Sequence, residues 1–365
     1  MALEKLGVSY HIADYVEVDK YAVKSFNAIH NTNFEPQDIR QWDKDLKIDL
    51  IMHGSPCQSI SLAGLQHGAD KGSGTRSSLM WETVRIVEKL KPKYVIWENV
   101  KNLLSKKHIH NFNAYLETLE QLGYKNYYQV LNAKDYGIPQ NRERVFVVSI
   151  RNDINKIYAF PQKQELKLKL KDLLEDKVDE KYYLSEKMIK YISATGTANF
   201  KNPDAKINLD IARPLTTDPN KRAGTTNYLS DDLPSNCDLS ILIKNNTKKG
   251  YLEAYAGDGV DISRRMIWHR GNVQKQTIQT LNTNQDYGVV TEDLRIRKLT
   301  PKEYWRLMGF SDEAFSKAEK ENSNTQLYKQ AGNSIVVNVL MAILNNLLLD
   351  SENEIVGQMS IFDII

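Results

Sequence analysis

Along the first 150 positions, apolar residues come in short continuous runs, separated by stretches in which they recur every three or four residues. The runs "IADYVEV" (12–18), "IDLIMHG" (48–54), "YVIWENV" (94–100) and "RVFVVSI" (144–150) predict strands. Between them, "SLMWETVRIVEKL" (78–90) and "HNFNAYLETLEQLGY" (110–124) carry the spacing of amphipathic helices. Continuous apolar strands joined by crossover helices imply an α/β fold: a mostly parallel, Rossmann-like sheet with helices on both faces. Sheets of this kind place their ligands at the carboxyl ends of the strands. "VEVD", "HGSPC" and "ENV" all fall at such ends.

After about residue 160 the pattern changes. "KQELKLKLKDLLEDKVDEKYYLSEKMIKYI" reads as a polar, helix-rich connection, and residues 200–295 are rich in Asn, Thr, Gly, Lys and Arg with short strand-like pieces. The expected organisation is a first domain at 1–162, a smaller second domain at 163–294, and a segment at 295–365 that returns to the first domain. The apolar "AGNSIVVNVLMAILNNLLLD" should pack back onto the first sheet as a helix.

Composition adds little to this picture and removes some alternatives. The chain has 365 residues, 41% hydrophobic and 26% charged, as expected of a globular protein long enough for two cores. A net charge of +3 leaves nucleic-acid binding undecided, since a site-specific enzyme needs only a basic cleft. No apolar run is expected to span a membrane, and the N-terminus lacks a charged stretch followed by an apolar one, so a cytoplasmic location is expected. Two distant cysteines, Cys57 and Cys237, make neither a disulfide framework nor a metal cluster.

Candidate chemistry gathers at the strand ends. In "GSPCQSIS", Cys57 follows Gly54, Ser55 and Pro56 on what should be a rigid turn. It can act as a nucleophile where its surroundings favour thiolate. The alternative is a cysteine packed as a small hydrophobe, against which its polar neighbours argue. Glu98 ends a buried strand, where a carboxylate is costly unless it is paired or used. It suits hydrogen bonding to a ring nitrogen, or else caps the following helix. Arg142 and Arg144 alternate on the approach to a strand and so share a face opposite Glu143. They can grip a carbonyl oxygen, a phosphate or a carboxylate, or form an exposed salt-bridge ladder.

Taken together, PCQ (56–58), ENV (98–100), QxRxR (140–144), RKLTPxE (297–303) and GNS (332–334) resemble the DNA cytosine-5 methyltransferases of bacteria and phages. The motifs stand in family order over almost the whole chain. The resemblance implies a Rossmann-like methyltransferase domain with a smaller target-recognition domain. S-adenosylmethionine would be the cofactor and a specific double-stranded DNA site the substrate. Cys57 would add to carbon 6 of a flipped-out cytosine. Glu98 would bind its exocyclic amine and ring nitrogen 3, Arg144 its carbonyl oxygen with Arg142 in support, and Asn99 would orient the Cys57 turn. For the cofactor, the resemblance points to Glu17 at the ribose, to Val18, Asp38, Ile39 and Leu79 around the adenine, and to Pro56, Asn333 and Ser334. Val18 departs from a pattern that often has an aromatic residue there.

For DNA the resemblance implies Gln58, Ser59 and Arg76, with the glycine-rich stretch 62–78 closing over the flipped base. Thr280 would lie near the nucleotide backbone. The basic stretches "NKRAGTTN" (220–227) and "SRRMIWHRGN" (263–272) are further phosphate or base candidates. A monomer is expected, with a cognate restriction endonuclease as a functional partner. The family also opens with an apolar strand and a Phe-x-Gly-x-Gly loop, whereas "ALEKLG" reads as the end of the helix that follows them. A misplaced start, a split enzyme and a decayed relic are the readings of that difference. Beside the DNA enzyme stand two alternatives: a DNA-binding relic without activity, and an RNA cytosine-5 methyltransferase of the same fold.

Overall fold

The computed structural model describes residues 1–56, 72–73, 75–185, 188–189, 240–263, 271–283 and 285–349. The chain divides into two compact units, one of Met1–Leu168 with Tyr304–Ile365 and the other of Lys169–Glu303.

In the first unit, helix α1 (Lys20–His30) is capped by the Asp19 carboxylate, which accepts from Tyr21 N, and it ends at Asn31 in the left-handed region. There follow β1 (Leu50–Gly54), α2 (Met80–Leu90), β2 (Tyr94–Val100), α3 (Ile109–Gln121), β3 (Tyr124–Asn132) and β4 (Glu143–Arg151). The strands form a four-stranded sheet in the order β1-β2-β4-β3. β1 pairs parallel to β2, while β4 runs antiparallel to both β2 and β3. β1, β2 and β3 therefore share one direction and only β4 is reversed. The reason is the connection. α3 carries the chain from β2 to β3 as a parallel crossover, whereas the short link from β3 to β4 suffices only for an antiparallel return.

The period-two alternation of side chains sorts β2 and β4 into two faces. Val95, Trp97, Val145 and Val147 join Met80, Val84 and Val87 of α2 and Phe112, Tyr115 and Leu119 of α3 in one core cluster. On the opposite face, Ile96, Phe146, Val148 and Ile150 are also buried. A sheet covered on both sides explains why these strands read as continuous apolar runs.

One expectation fails here. Residues 12–18 form no strand among the described residues. An apolar run becomes a strand only when a ladder satisfies its backbone, and this segment has isolated bonds instead: the Gln37 side chain donates from Nε2 to Tyr15 O at 3.0 Å, and Gln37 backbone N to Glu17 O at 2.8 Å. The apolar helix expected near the C-terminus does form. Asn324–Leu349 is long and apolar enough to cross a membrane by length and composition. In the fold it comprises α5 (Asn324–Asn333) and α6 (Val337–Leu344), preceded by α4 (Asp312–Glu321), and α6 is almost wholly core. A helix buried all round satisfies the same compositional test as a membrane span.

In the second unit, β7 (Gly259–Asp261), β8 (Val273–Gln274), β9 (Tyr287–Val290) and β10 (Ile296–Lys298) form an antiparallel sheet in the order β10-β9-β7-β8. The hairpin of β5 (Ile241–Lys244) and β6 (Tyr251–Ala254) contributes Ile243 and Ala254 to its core. Over the described residues 163–185 the expected helix-rich connection is instead irregular, with short 3₁₀ turns at Leu170–Leu173 and Glu180–Tyr182. Leucine and lysine alternate there with period two, which gives a helix no apolar face. Buried Leu170 donates its N–H to Gln276 O at 2.8 Å, so the unit begins at Lys169, beyond the expected 163. It extends past 294 because β10 completes its sheet. The family-like "RKLTPKE" supplies a buried ion pair: Glu303 accepts from Arg297 Nη2 at 2.7 Å and Nη1 at 2.8 Å, from Thr300 N at 2.7 Å and from Glu175 N at 2.9 Å.

Candidate active site

The carboxyl ends of β1 and β2 lie side by side, because their parallel register sets Gly54 opposite Glu98. Glu98 is nearly buried, and its Oε1 stands 3.0 Å from Arg144 Nε. That contact follows from register. Arg144 is opposite Val100 on β4, so Glu98 and Arg144 are diagonal neighbours on one face, within reach of a long side chain. Glu98 Oε2 faces Gly54: a Cβ added at Gly54 would lie 3.6 Å from this oxygen and 4.0 Å from Ile335 Cδ1. Glycine at this position sets no side chain against the carboxylate's second oxygen. The result is an acceptor held by a guanidinium at the end of a parallel strand, suited to a planar ligand carrying adjacent donor and acceptor groups.

On the other face of β2, Asn99 Nδ2 donates to Ser55 Oγ at 2.9 Å and Trp97 Nε1 donates to the same oxygen at 3.0 Å. Asn99 Oδ1 accepts from Val100 N at 2.7 Å. Below them, His53 stacks on Trp97 with ring centroids 5.9 Å apart, and its Nε2 is 3.0 Å from Tyr115 Oη. Burial pushes the His53 imidazole down to about 3 and raises the Tyr115 phenol, so neither is charged near neutral pH. Ser55 and Trp97 were not singled out in the sequence; the only hint was a polar residue between Gly54 and Pro56.

Arg142 and Arg144 part company. Arg142 is buried and donates from Nη2 to Ser334 O at 2.9 Å and Gly332 O at 3.2 Å, fastening the GNS turn to the start of β4. Ser334 Oγ in turn donates to Gln330 O at 2.7 Å. Asn333 is exposed at this turn and Pro56 half-buried at the end of β1. Glu143, on the opposite side as its alternation requires, pairs with Lys101 at 3.0 Å.

The residues expected at a nucleoside lie on two loops tied together. Asp14 accepts from Trp42 Nε1 at 2.6 Å, Lys44 Nζ at 2.8 Å and Gln37 Nε2 at 2.9 Å. Arg85 of α2 donates to the carbonyls of Ile39 and Trp42, each at 2.9 Å. These bonds bring Glu17 and Val18 beside Asp38 and Ile39. Glu17 Oε1 accepts from Asp19 N at 2.8 Å, and Val18 is 70% exposed. A carboxylate next to an uncovered aliphatic side chain fits a ribose diol and the face of a purine. Asp38 is engaged by Arg40, with Arg40 Nε 3.0 Å from Oδ1, and this hydrogen bonding holds its carboxyl down at about 2. Leu79 is partly buried at the start of α2.

Cys57, Gln58, Ser59, most of the 62–78 stretch, residues 220–227 and nearly all of 263–272 lie outside the described residues, as does the side chain of Arg76. Thr280 is partly buried in the second unit, just after Ile278–Gln279.

Comparison with known proteins gives one answer. Residues 1–348 match the family described as C-5 cytosine-specific DNA methylase. The type II methyltransferase M2.ScrFI of Lactococcus lactis subsp. cremoris is 41% identical over 321 residues, covering 87% of this chain and 71% of that protein. The orphan methyltransferase M.SPRI of Bacillus phage SPR is 32% identical, covering 95% and 94%. The type II methyltransferase M.HhaI of Haemophilus parahaemolyticus is 30% identical, covering 95% and 90%. Among solved structures, the fold resembles a Spodoptera frugiperda DNMT2 variant with TM-score 0.56, 18% identity and 95% coverage of both chains. It also resembles the Entamoeba histolytica methyltransferase EhMeth, with TM-score 0.57, 14% identity and coverage of 93% and 90%. With family motifs at adjacent strand ends and a match spanning nearly its full length, this chain is a member of the C-5 cytosine-specific DNA methylase family.

Proposed function

We propose that the protein transfers a methyl group from S-adenosylmethionine to carbon 5 of a flipped-out cytosine in a specific duplex DNA site, through a covalent bond to Cys57. The observation that carries this reading is the Glu98–Arg144 pair, 3.0 Å apart, with the second carboxylate oxygen facing Gly54, which has no side chain. Three residues further along the chain stands Cys57. In the proposed reaction the Cys57 thiolate bonds to carbon 6, and the electron pair of the C5–C6 double bond becomes available at carbon 5. Glu98 shares a proton with ring nitrogen 3 and accepts from the exocyclic amine, and Arg144 donates to the carbonyl oxygen, so the charge developing on the ring meets oriented partners. When bound, S-adenosylmethionine supplies an electrophilic methyl group. After carbon 5 is methylated, loss of its proton and departure of the Cys57 sulfur restore the aromatic ring.

Glu17 would hold the ribose hydroxyls, Val18, Asp38, Ile39 and Leu79 the adenine, and Pro56, Asn333 and Ser334 the remainder of the cofactor. Gln58, Ser59, Arg76 and Thr280 would meet DNA, and the second unit would select the sequence. The relatives include both type II and orphan methyltransferases, so a restriction endonuclease partner is one of two settings the reading allows. A cytoplasmic monomer is the corresponding physical form.

The test is covalent capture. Duplex DNA carrying 5-fluorocytosine and S-adenosylmethionine should give a stable adduct, since fluorine cannot leave as the proton does, and Cys57→Ser should abolish it. Absence of an adduct with folded wild-type protein overturns the reading. Salt-dependent DNA binding without cofactor affinity would then favour the DNA-binding relic, and methylation of transfer RNA in preference to duplex DNA the RNA enzyme.

A further inference from the structure

Where the chain leaves β1, one hydroxyl is held from two sides. Ser55 Oγ accepts from Trp97 Nε1 at 3.0 Å and from Asn99 Nδ2 at 2.9 Å. A hydroxyl has two acceptor lone pairs, and these bonds use both. Neither donor is free to wander. Trp97 is 1% exposed and its ring packs against both His53 and Tyr115, at centroid distances of 5.9 and 4.1 Å. The Asn99 amide is fixed at its other end by Val100 N, since turning it over would set its NH2 against that N–H. His53 lies two positions before Ser55, so the aromatic stack and the two hydrogen bonds grip alternate residues of the segment that leads towards Pro56 and Cys57.

We propose that Ser55 is a positioning residue: it relays the rigid placement of Trp97 and Asn99 to the turn that carries the cysteine. The proposal rests on the reading of Cys57 as nucleophile. It assigns Ser55 no contact with substrate, since its acceptor capacity is filled from within the protein. An error of about 1 Å in the approach of a nucleophile costs on the order of 100-fold in rate, so a hydroxyl that sets the origin of the turn is felt at the bond-forming step.

The experiment measures the rate of covalent adduct formation on 5-fluorocytosine duplex DNA, beside equilibrium binding of the DNA and of S-adenosylhomocysteine. Ser55→Ala should slow adduct formation about 10- to 100-fold while both affinities stay within about twofold. Trp97→Phe, which keeps the ring and removes the N–H, should also slow it. The double variant should be no slower than Ser55→Ala alone, because both changes break the same relay. Ser55→Thr, which keeps the hydroxyl, should recover most of the rate. An unchanged rate in Ser55→Ala overturns the proposal, as does a double-variant effect equal to the product of the single ones. So does a loss that appears in DNA affinity rather than rate. If Ser55→Ala does not fold, the Trp97→Phe and Ser55→Thr rates decide in the same way. Wild-type protein that forms no adduct would instead indict the proposed function itself.

Discussion

Glu98 and Arg144 leave the sheet on the same face, diagonally placed across the β2–β4 ladder, and close a contact of 3.0 Å. Their side chains are 12% and 16% exposed, so the pair is mostly withdrawn from water but not sealed from it. Removing the cation leaves a carboxylate in that setting with no opposite charge. Arg144→Met should therefore lower stability by about 1–3 kcal/mol, less than a fully buried pair would lose because residual exposure screens the charge. Urea unfolding would measure it. Methylation kcat/KM should fall about 10²–10³-fold, as when one oriented donor is removed from a site of developing charge. A loss confined to stability would argue against a role at the base. Each member of the pair was visible in the sequence as part of its motif. Their contact was not, because it depends on how two strands 46 positions apart are registered.

At the scale of elements, two connections shape the molecule. β4 inserts between β2 and β3 in reverse, and this places Arg142 at the GNS turn and Arg144 at Glu98 from one short stretch of chain. In the second unit, β10 delivers Arg297 to Glu303, whose side chains are only 3% and 0% exposed. Glu303 also terminates the backbone N–H groups of Thr300 and Glu175, so one carboxylate joins the end of the unit's last strand to its first irregular segment. Glu303→Gln would leave Arg297 buried without its counter-charge. The expected cost is about 3–5 kcal/mol, read as a lower urea midpoint in fluorescence unfolding. An equal midpoint would show that the buried charge had found another partner. The motif signalled importance, and the resemblance drew attention towards chemistry. Burial and partner count make it a structural fastening in this unit.

Across the whole molecule, stability should carry the signature of a buried neutral histidine. Burial pushes His53 down to about 3, whereas an unfolded histidine titrates near 6.5. Below about 6.5 the unfolded chain takes up a proton that the folded protein refuses, so stability is full above that pH and is lost as pH falls towards 3. The slope due to this group approaches about 1.4 kcal/mol per pH unit. Unfolding free energies between pH 7 and pH 5 should fall more steeply for wild type than for His53→Leu; parallel slopes would place the imidazole in contact with water. What the sequence determined by itself was the order of motifs, the position of Glu98 near the end of its strand, and the period of most strands and helices. These are local properties, written in neighbouring residues and in side-chain alternation. Residues 12–18 had the composition of a strand, yet pairing is not a property of composition. Tertiary structure alone decided the contact of Glu98 with Arg144, the buried fastening of Glu303, and the meeting of Ser55, Trp97 and Asn99. Each depends on how distant segments are set against one another, and within the sheet a shift of one residue would turn the side chains of a strand to the opposite face.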